Sequence, residues 1–210
     1  GFLRNHDLDQ RVAALADQID GDVFNVLAAR GRLYVTTTKG ALYCFGPDEG
    51  PTTCHAFAPT PLRPRSDAWA SRADRLIEGL GETEGYALVL GIGSGDLLRE
   101  LLLRSELHVT IVESDAAAVR SLRDELVAAG LYGRRAAVIE ADPPAFSVQP
   151  YLFSLVACEN AGDAGLSADP VALAAVLDRV RPYGGVAWLG GGPRLQHAAS
   201  SAEVDQVVVE

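Results

Sequence analysis

In YALVLGIGSGDLLRELLLRSELHVTIVESD (residues 86–115), an unbroken apolar run ends in three alternating glycines, a helical pattern follows, and a second apolar run ends in an acid. Ala87-Leu88-Val89-Leu90 is apolar throughout, as in a strand covered on both faces. Asp96 to Arg104 repeats leucine at helical spacing, and His108 to Val112 is again strand-like. Strand, helix and strand in this order form a βαβ unit, whose strands lie parallel. Gly91, Gly93 and Gly95 let a ligand approach bare backbone, and the helix that follows offers unpaired amides and a positive dipole end to a carboxylate or phosphate. Simple turn chemistry also produces a glycine-rich strand exit. Glu113, 18 residues beyond Gly95, adds specificity, because an acid so placed accepts hydrogen bonds from both hydroxyls of a ribose in dinucleotide-binding folds.

The same alternation continues on both sides. Upstream, Ser66-Asp67 is set to cap a helix over Ala68 to Leu80 that buries Trp69, Ala73, Leu76, Ile77 and Leu80, with Gly79 and Gly81 stopping it. Downstream come helix Ala116 to Ala129, strand Ala136 to Glu140, strand Leu152 to Ala157, helix Pro170 to Val180, strand Val186 to Leu189 and a last strand, Val204 to Val209. The expectation is a doubly wound, mostly parallel Rossmann-like α/β sheet over residues 66–210, of strand order 3-2-1-4-5 followed by that last strand. Asp142, just past the third strand, can accept from an adenine amino group while Pro143 packs near the ring, or can simply end the strand in a turn.

Ahead of this domain, residues 1–46 predict a short helix, Asp9 to Gln18, and a small antiparallel meander of Val23 to Ala28, Arg32 to Thr37 and Ala41 to Phe45. Residues 47–65 hold five prolines and read as a linker. His55 there is an exposed loop histidine on this reading. Cys44, Cys54 and Cys158 are too scattered for a zinc site or a disulfide framework, so three thiols are expected, with a Cys44–Cys54 bridge as the alternative and no metal.

With 18 Lys and Arg against 28 Asp and Glu, the net charge of -10 repels phosphate backbones, which argues against nucleic acid. Arg63, Arg65, Arg72 and Arg75 are interleaved with Asp67 and Asp74 and read as a solvated face. No apolar run reaches the ~18 to 20 residues of a membrane span. A soluble chain is expected, with its compartment open and the cytoplasm favoured. The sequence has no methionine and opens on Gly1, so it is expected to be part of a larger chain.

LVLGIGSGD, IVESD, EADPP and RPYGGVAWL together resemble the first, second, third and fifth-strand motifs of class I S-adenosylmethionine-dependent methyltransferases, over about 125 of the 210 residues. The resemblance implies that S-adenosylmethionine is held by Gly91, Gly93, Ser94 and Gly95 at its methionine part, by Glu113 and Ser114 at ribose, and by Asp142 and Pro143 at adenine. It implies methyl transfer to an oxygen or nitrogen of a small-molecule or protein acceptor, with Glu159 and Asn160, beyond the fourth strand, as candidate acceptor-facing residues. Glu159 is a general base or acceptor-orienting group on this reading, and an exposed loop acid on the alternative.

Two positions depart from the family pattern: Gly91 stands where an acid is usual, and Leu97 where a third glycine is usual. Asp96 is a substitute for that acid or a helix cap. These departures support a second hypothesis, a degenerate, non-catalytic domain serving as scaffold. GRLYVTTTKGALYCFG (residues 31–46) resembles one repeat of the pyrroloquinoline-quinone-type β-propellers, which implies such a scaffold within a larger propeller protein; a plain hairpin packed on the main domain is the alternative. A nicotinamide dehydrogenase is a third reading, but the G-x-G-x-x-G spacing it needs is absent.

Overall fold

The computed structural model describes residues 13, 15–47, 55–166, 170–190 and 207–209. The chain divides into two compact units, Gly1–Ala56 and Phe57–Glu210.

In the first unit, β1 (Val23–Ala29), β2 (Arg32–Thr37) and β3 (Leu42–Phe45) form an antiparallel sheet in the order β1-β2-β3. The two-residue turn Arg30-Gly31 has positive φ at both positions, 49° and 72°, the backbone that matches the twist of a tight hairpin. Burial alternates along β2, with Leu33, Val35 and Thr37 buried, as a period of two requires. The expected helix is a single 3₁₀ turn at Ala16–Gln18, and residues 9–12 and 14 lie outside the described residues. A propeller blade has four strands and the described residues of this unit form three, so the likeness to a repeat rests on sequence alone. Cys44 is a free, exposed thiol, and Cys54 lies outside the described residues.

The second unit is the doubly wound fold. Its elements are α1 (Asp67–Leu80), β4 (Tyr86–Leu90), α2 (Asp96–Arg104), β5 (His108–Glu113), α3 (Ala116–Ala128), β6 (Ala136–Glu140), β7 (Leu155–Cys158), α4 (Pro170–Leu177), β8 (Val186–Leu189) and β9 (Val207–Val209). The strands pair in parallel in the order β6-β5-β4-β7-β8-β9. Alternate residues of β4 enter two cores. Ala87 and Val89 meet α1, α2 and α3, while Leu88 and Leu90 meet Leu173 and Val176 of α4. An unbroken apolar strand sequence is the direct consequence of helices on both faces.

Several local expectations shift. Ser66 is the N-cap of α1 without a side-chain cap bond, and Gly79 lies inside the helix, which ends at left-handed Gly81. β7 begins three residues later than its apolar pattern, because Tyr151 turns at φ 60° and the Phe153 amide bonds to the Arg179 carbonyl instead of a strand neighbour. The end of the proline-rich stretch is anchored: the Thr60 amide donates to the Ala128 carbonyl at 2.8 Å and Leu62 packs on the core.

Candidate functional site

Chain order reverses between β4 and β7, so their carboxyl ends open a crevice of the kind in which parallel α/β sheets bind ligands. The glycine turn stands at this edge. Gly91, Gly93 and Gly95 have φ of 75°, 57° and 75°, a backbone region that side chains disfavour. Gly95 is the N-cap of α2, which leaves the first amides of that helix facing the crevice without helical partners.

Glu113 reaches this turn from the neighbouring strand. Its Oε2 accepts from the Ile92 amide at 2.9 Å, and its Oε1 accepts from the Asp115 amide at 2.9 Å and the Ser114 hydroxyl at 3.3 Å. Partial burial opposes its charge, but the amide bonds from Ile92, Asp115 and Ser114, with the Ser114 hydroxyl, outweigh that effect and hold its pKa below the ordinary carboxylate value. Ser114 is exposed beside it, and Asp115 caps α3 by accepting from the Ala117 and Ala118 amides.

Asp142 is exposed just past β6, and Pro143 beside it is buried. Two strand spacings, about 10 Å, separate that edge from β4, a distance on the scale of a nucleoside. Among the described residues no hydrogen bond ties Asp142 to Glu113 or the glycine turn. Its loop is held from below by Arg179, whose Nη1 and Nη2 donate to the Pro143 and Pro144 carbonyls at 3.3 and 3.1 Å. Arg179 is buried, which lowers its pKa, and no local sequence pattern singles it out.

Glu159, one residue past β7, lies on the glycine turn itself. Its Oε2 accepts from the Ser94 amide at 2.6 Å and the Ser94 hydroxyl at 2.7 Å, while Oε1 accepts from the Leu97 amide at 2.8 Å. Gly93 makes the room: a Cβ at that position would lie 2.5 Å from Glu159 Oε2 and 2.9 Å from Glu159 Cβ. The backbone here is pinned to the end of β8, with the Gly190 amide on the Cys158 carbonyl and the Ala161 amide on the Gly190 carbonyl.

Asn160 turns into its own loop. It accepts from the Gly162 and Asp163 amides and donates to Asp163 Oδ2 at 2.8 Å. Asp96 lies one residue inside α2, 3.9 Å from Arg99, and is not the cap. Burial pushes the Cys158 thiol up to about 12, which removes it as a nucleophile. At Gly91, where the family pattern has an acid, a Cβ would meet the Ala164 Cβ at 3.0 Å, and Leu97, where a glycine is usual, is fully buried in the core. A hollow of about 430 Å³ lined by Glu84, Gly85, Tyr86, Glu106, His108 and Arg135 opens at the amino-terminal edge of the sheet, opposite the crevice.

Neither protein-family models nor curated proteins match this chain. Solved structures do share its fold. A Methanococcus maripaludis protein described as a candidate S-adenosyl-L-methionine-dependent methyltransferase aligns with a TM-score of 0.52 at 17% identity, over 64% of this chain and 62% of its own. Geranyl diphosphate C-methyltransferase from Streptomyces coelicolor, solved with Mg2+, geranyl diphosphate and S-adenosyl-L-homocysteine, aligns with a TM-score of 0.50 at 12% identity, over 63% and 60%. The chain thus spans about six tenths of each. At such identities the likeness establishes the fold alone, a Rossmann-like parallel α/β sheet that these proteins share.

Proposed function

We propose that the unit Phe57–Glu210 binds an adenosine-bearing ligand, S-adenosylmethionine in the first instance, and transfers a methyl group to an oxygen or nitrogen acceptor. The observation that carries this reading is Glu113, a charged carboxylate aimed from β5 at the amide of Ile92 inside the glycine turn. There it can exchange backbone donors for the two hydroxyls of a ribose. Asp142 and Pro143 then flank the adenine edge. The ribose half fits once Glu113 turns from these backbone donors to the two hydroxyls. At the amino-acid half, the Glu159 carboxylate in the amide cradle is a stand-in for the ligand's own carboxylate.

When bound, the ligand supplies an electrophilic methyl on a sulfonium sulfur. The chain's contribution is then orientation of two reactants and exclusion of water, which direct methyl transfer mainly requires. Titration calorimetry of the chain with S-adenosylmethionine, S-adenosylhomocysteine and 5′-methylthioadenosine tests the reading. Binding by any of them should weaken about ten-fold or more in Glu113→Ala, the scale of one charged hydrogen bond. No heat from all three at about 1 mM, a ~4 kcal/mol threshold, refutes it.

A second reading is a non-catalytic scaffold, in a larger protein whose other parts include a propeller of the type residues 31–46 resemble. It is favoured by Leu97 buried where a glycine is usual, by Ala164 packed on Gly91, and by Glu159 filling the cradle. Micromolar binding by the unmodified chain counts against it.

A further inference from the structure

We infer that Glu159 is a tethered competitor for the carboxylate end of the ligand, so that S-adenosylmethionine and other nucleosides with an α-carboxylate must displace it to seat that end, a cost in affinity that nucleosides lacking the carboxylate do not meet. This rests on the nucleoside reading above and concerns the other half of the same crevice. The cradle is built for one carboxylate: the Ser94 amide, the Ser94 hydroxyl and the Leu97 amide converge at 2.6 to 2.8 Å on the two oxygens of Glu159. All three donors are neutral, and the Leu97 amide belongs to the first turn of α2, where the helix dipole favours negative charge. Two carboxylates cannot share these donors, because like charges at such a distance repel.

Glu159 also holds an advantage of position. The Cys158–Ala161 backbone is fixed against Gly190, so the carboxylate is delivered to the cradle from within the chain at high effective concentration. Gly93 keeps the path of that side chain open, since any Cβ there would collide with it. Only rotation of the Glu159 side chain frees the donors. The nucleoside half is independent of this contact, because Glu113 bonds to the Ile92 amide and not to Ser94 or Leu97. A nucleoside without an amino-acid tail therefore meets no competitor, whereas one with the tail must first displace Glu159. A cradle filled in about 90% of molecules weakens the apparent affinity of the displacing ligand about ten-fold.

The experiment is calorimetry with 5′-methylthioadenosine, which has no carboxylate, and S-adenosylhomocysteine, which has one, on the wild-type chain, Glu159→Ala and Glu159→Gln. S-adenosylhomocysteine should gain about ten-fold or more in Glu159→Ala and gain in the same direction in Glu159→Gln, while 5′-methylthioadenosine stays within about two-fold. If 5′-methylthioadenosine binds but S-adenosylhomocysteine is unchanged or weakened by the substitutions, the competitor role is overturned and the nucleoside reading stands. If S-adenosylhomocysteine binds the wild-type chain and 5′-methylthioadenosine does not, the competitor role is overturned and the nucleoside reading stands; if neither binds to any form, the nucleoside reading falls and this inference with it. A thermal melt checks each variant, and should Glu159→Ala not fold, the isosteric Glu159→Gln decides alone.

Discussion

Replacing Gly93 by alanine should expel Glu159 from the turn. The new Cβ would lie 2.5 Å from Glu159 Oε2, 2.9 Å from its Cβ and 3.1 Å from its Cδ, so the side chain cannot stay. Alanine at φ 57° itself costs about 1 kcal/mol. Loss of the three hydrogen bonds to Ser94 and Leu97, discounted for their partial exposure, adds about 1 to 3 kcal/mol. The sum is about 2 to 4 kcal/mol, or a fall in Tm of roughly 5 to 15 °C for a domain of about 150 residues. Gly133→Ala is the control, because Gly133 has φ 73° and nothing within 4 Å of its built Cβ, so it should show the backbone penalty alone. Urea melts of Gly93→Ala, Gly133→Ala, Glu159→Ala and the Gly93→Ala/Glu159→Ala pair complete a double-mutant cycle. The Gly93 substitution should be milder by at least about 1 kcal/mol once Glu159 is already gone. Equal losses at Gly93 and Gly133, with no coupling to position 159, would refute the packing of Glu159 on the turn.

Gly91→Asp, which restores the family's usual acid, should destabilise the fold by about 1 to 3 kcal/mol, because φ is 75° and Ala164 leaves no room, and should bring no gain in S-adenosylhomocysteine affinity. A gain without loss of stability in a melt and a titration would contradict this. The pKa of Glu113 is depressed, so its stabilisation is present above the ordinary carboxylate value and disappears as pH falls through the folded-state value. The stability advantage of wild type over Glu113→Gln should therefore shrink in urea melts run from about pH 6 down to about pH 3, whereas a constant difference would argue against an ionised, hydrogen-bonded Glu113. Arg179→Met leaves the Pro143 and Pro144 carbonyls without these donors and should lower stability by about 1 to 3 kcal/mol in the same assay. No loss there would mean that the loop holding Asp142 is supported by other contacts.

What the sequence made legible follows from how local the cause is. The strand β4, its glycine exit, α2 and the acid ending β5 are consecutive, and each is specified by apolar period or by glycine within its own segment. The order of the sheet was expected from the doubly wound fold that such alternation builds. Glu159 was legible as an acid beyond the fourth strand and read as a general base or acceptor-orienting group, but its place on the glycine turn was not, because its partners lie 62 to 65 residues away and meet it only where β7 pairs beside β4. Arg179 was hidden for the same reason, its acceptors being 35 and 36 residues distant. The proline-rich stretch was expected as a linker because proline denies regular hydrogen bonding, yet its apolar Leu62 still finds the core. At the other extreme, Asn160 has a wholly local fate: its amide satisfies the turn it begins.

A crystal structure of the chain with 5′-methylthioadenosine bears most directly on whether one ribose meets Glu113 and the glycine turn together. Both ribose hydroxyls should lie within about 3 Å of the Glu113 carboxylate oxygens, with the adenine directed towards Asp142. A nucleoside seated elsewhere, or Glu113 still bonded to the Ile92 amide with no ribose before it, would leave the fold intact and remove the function proposed for it.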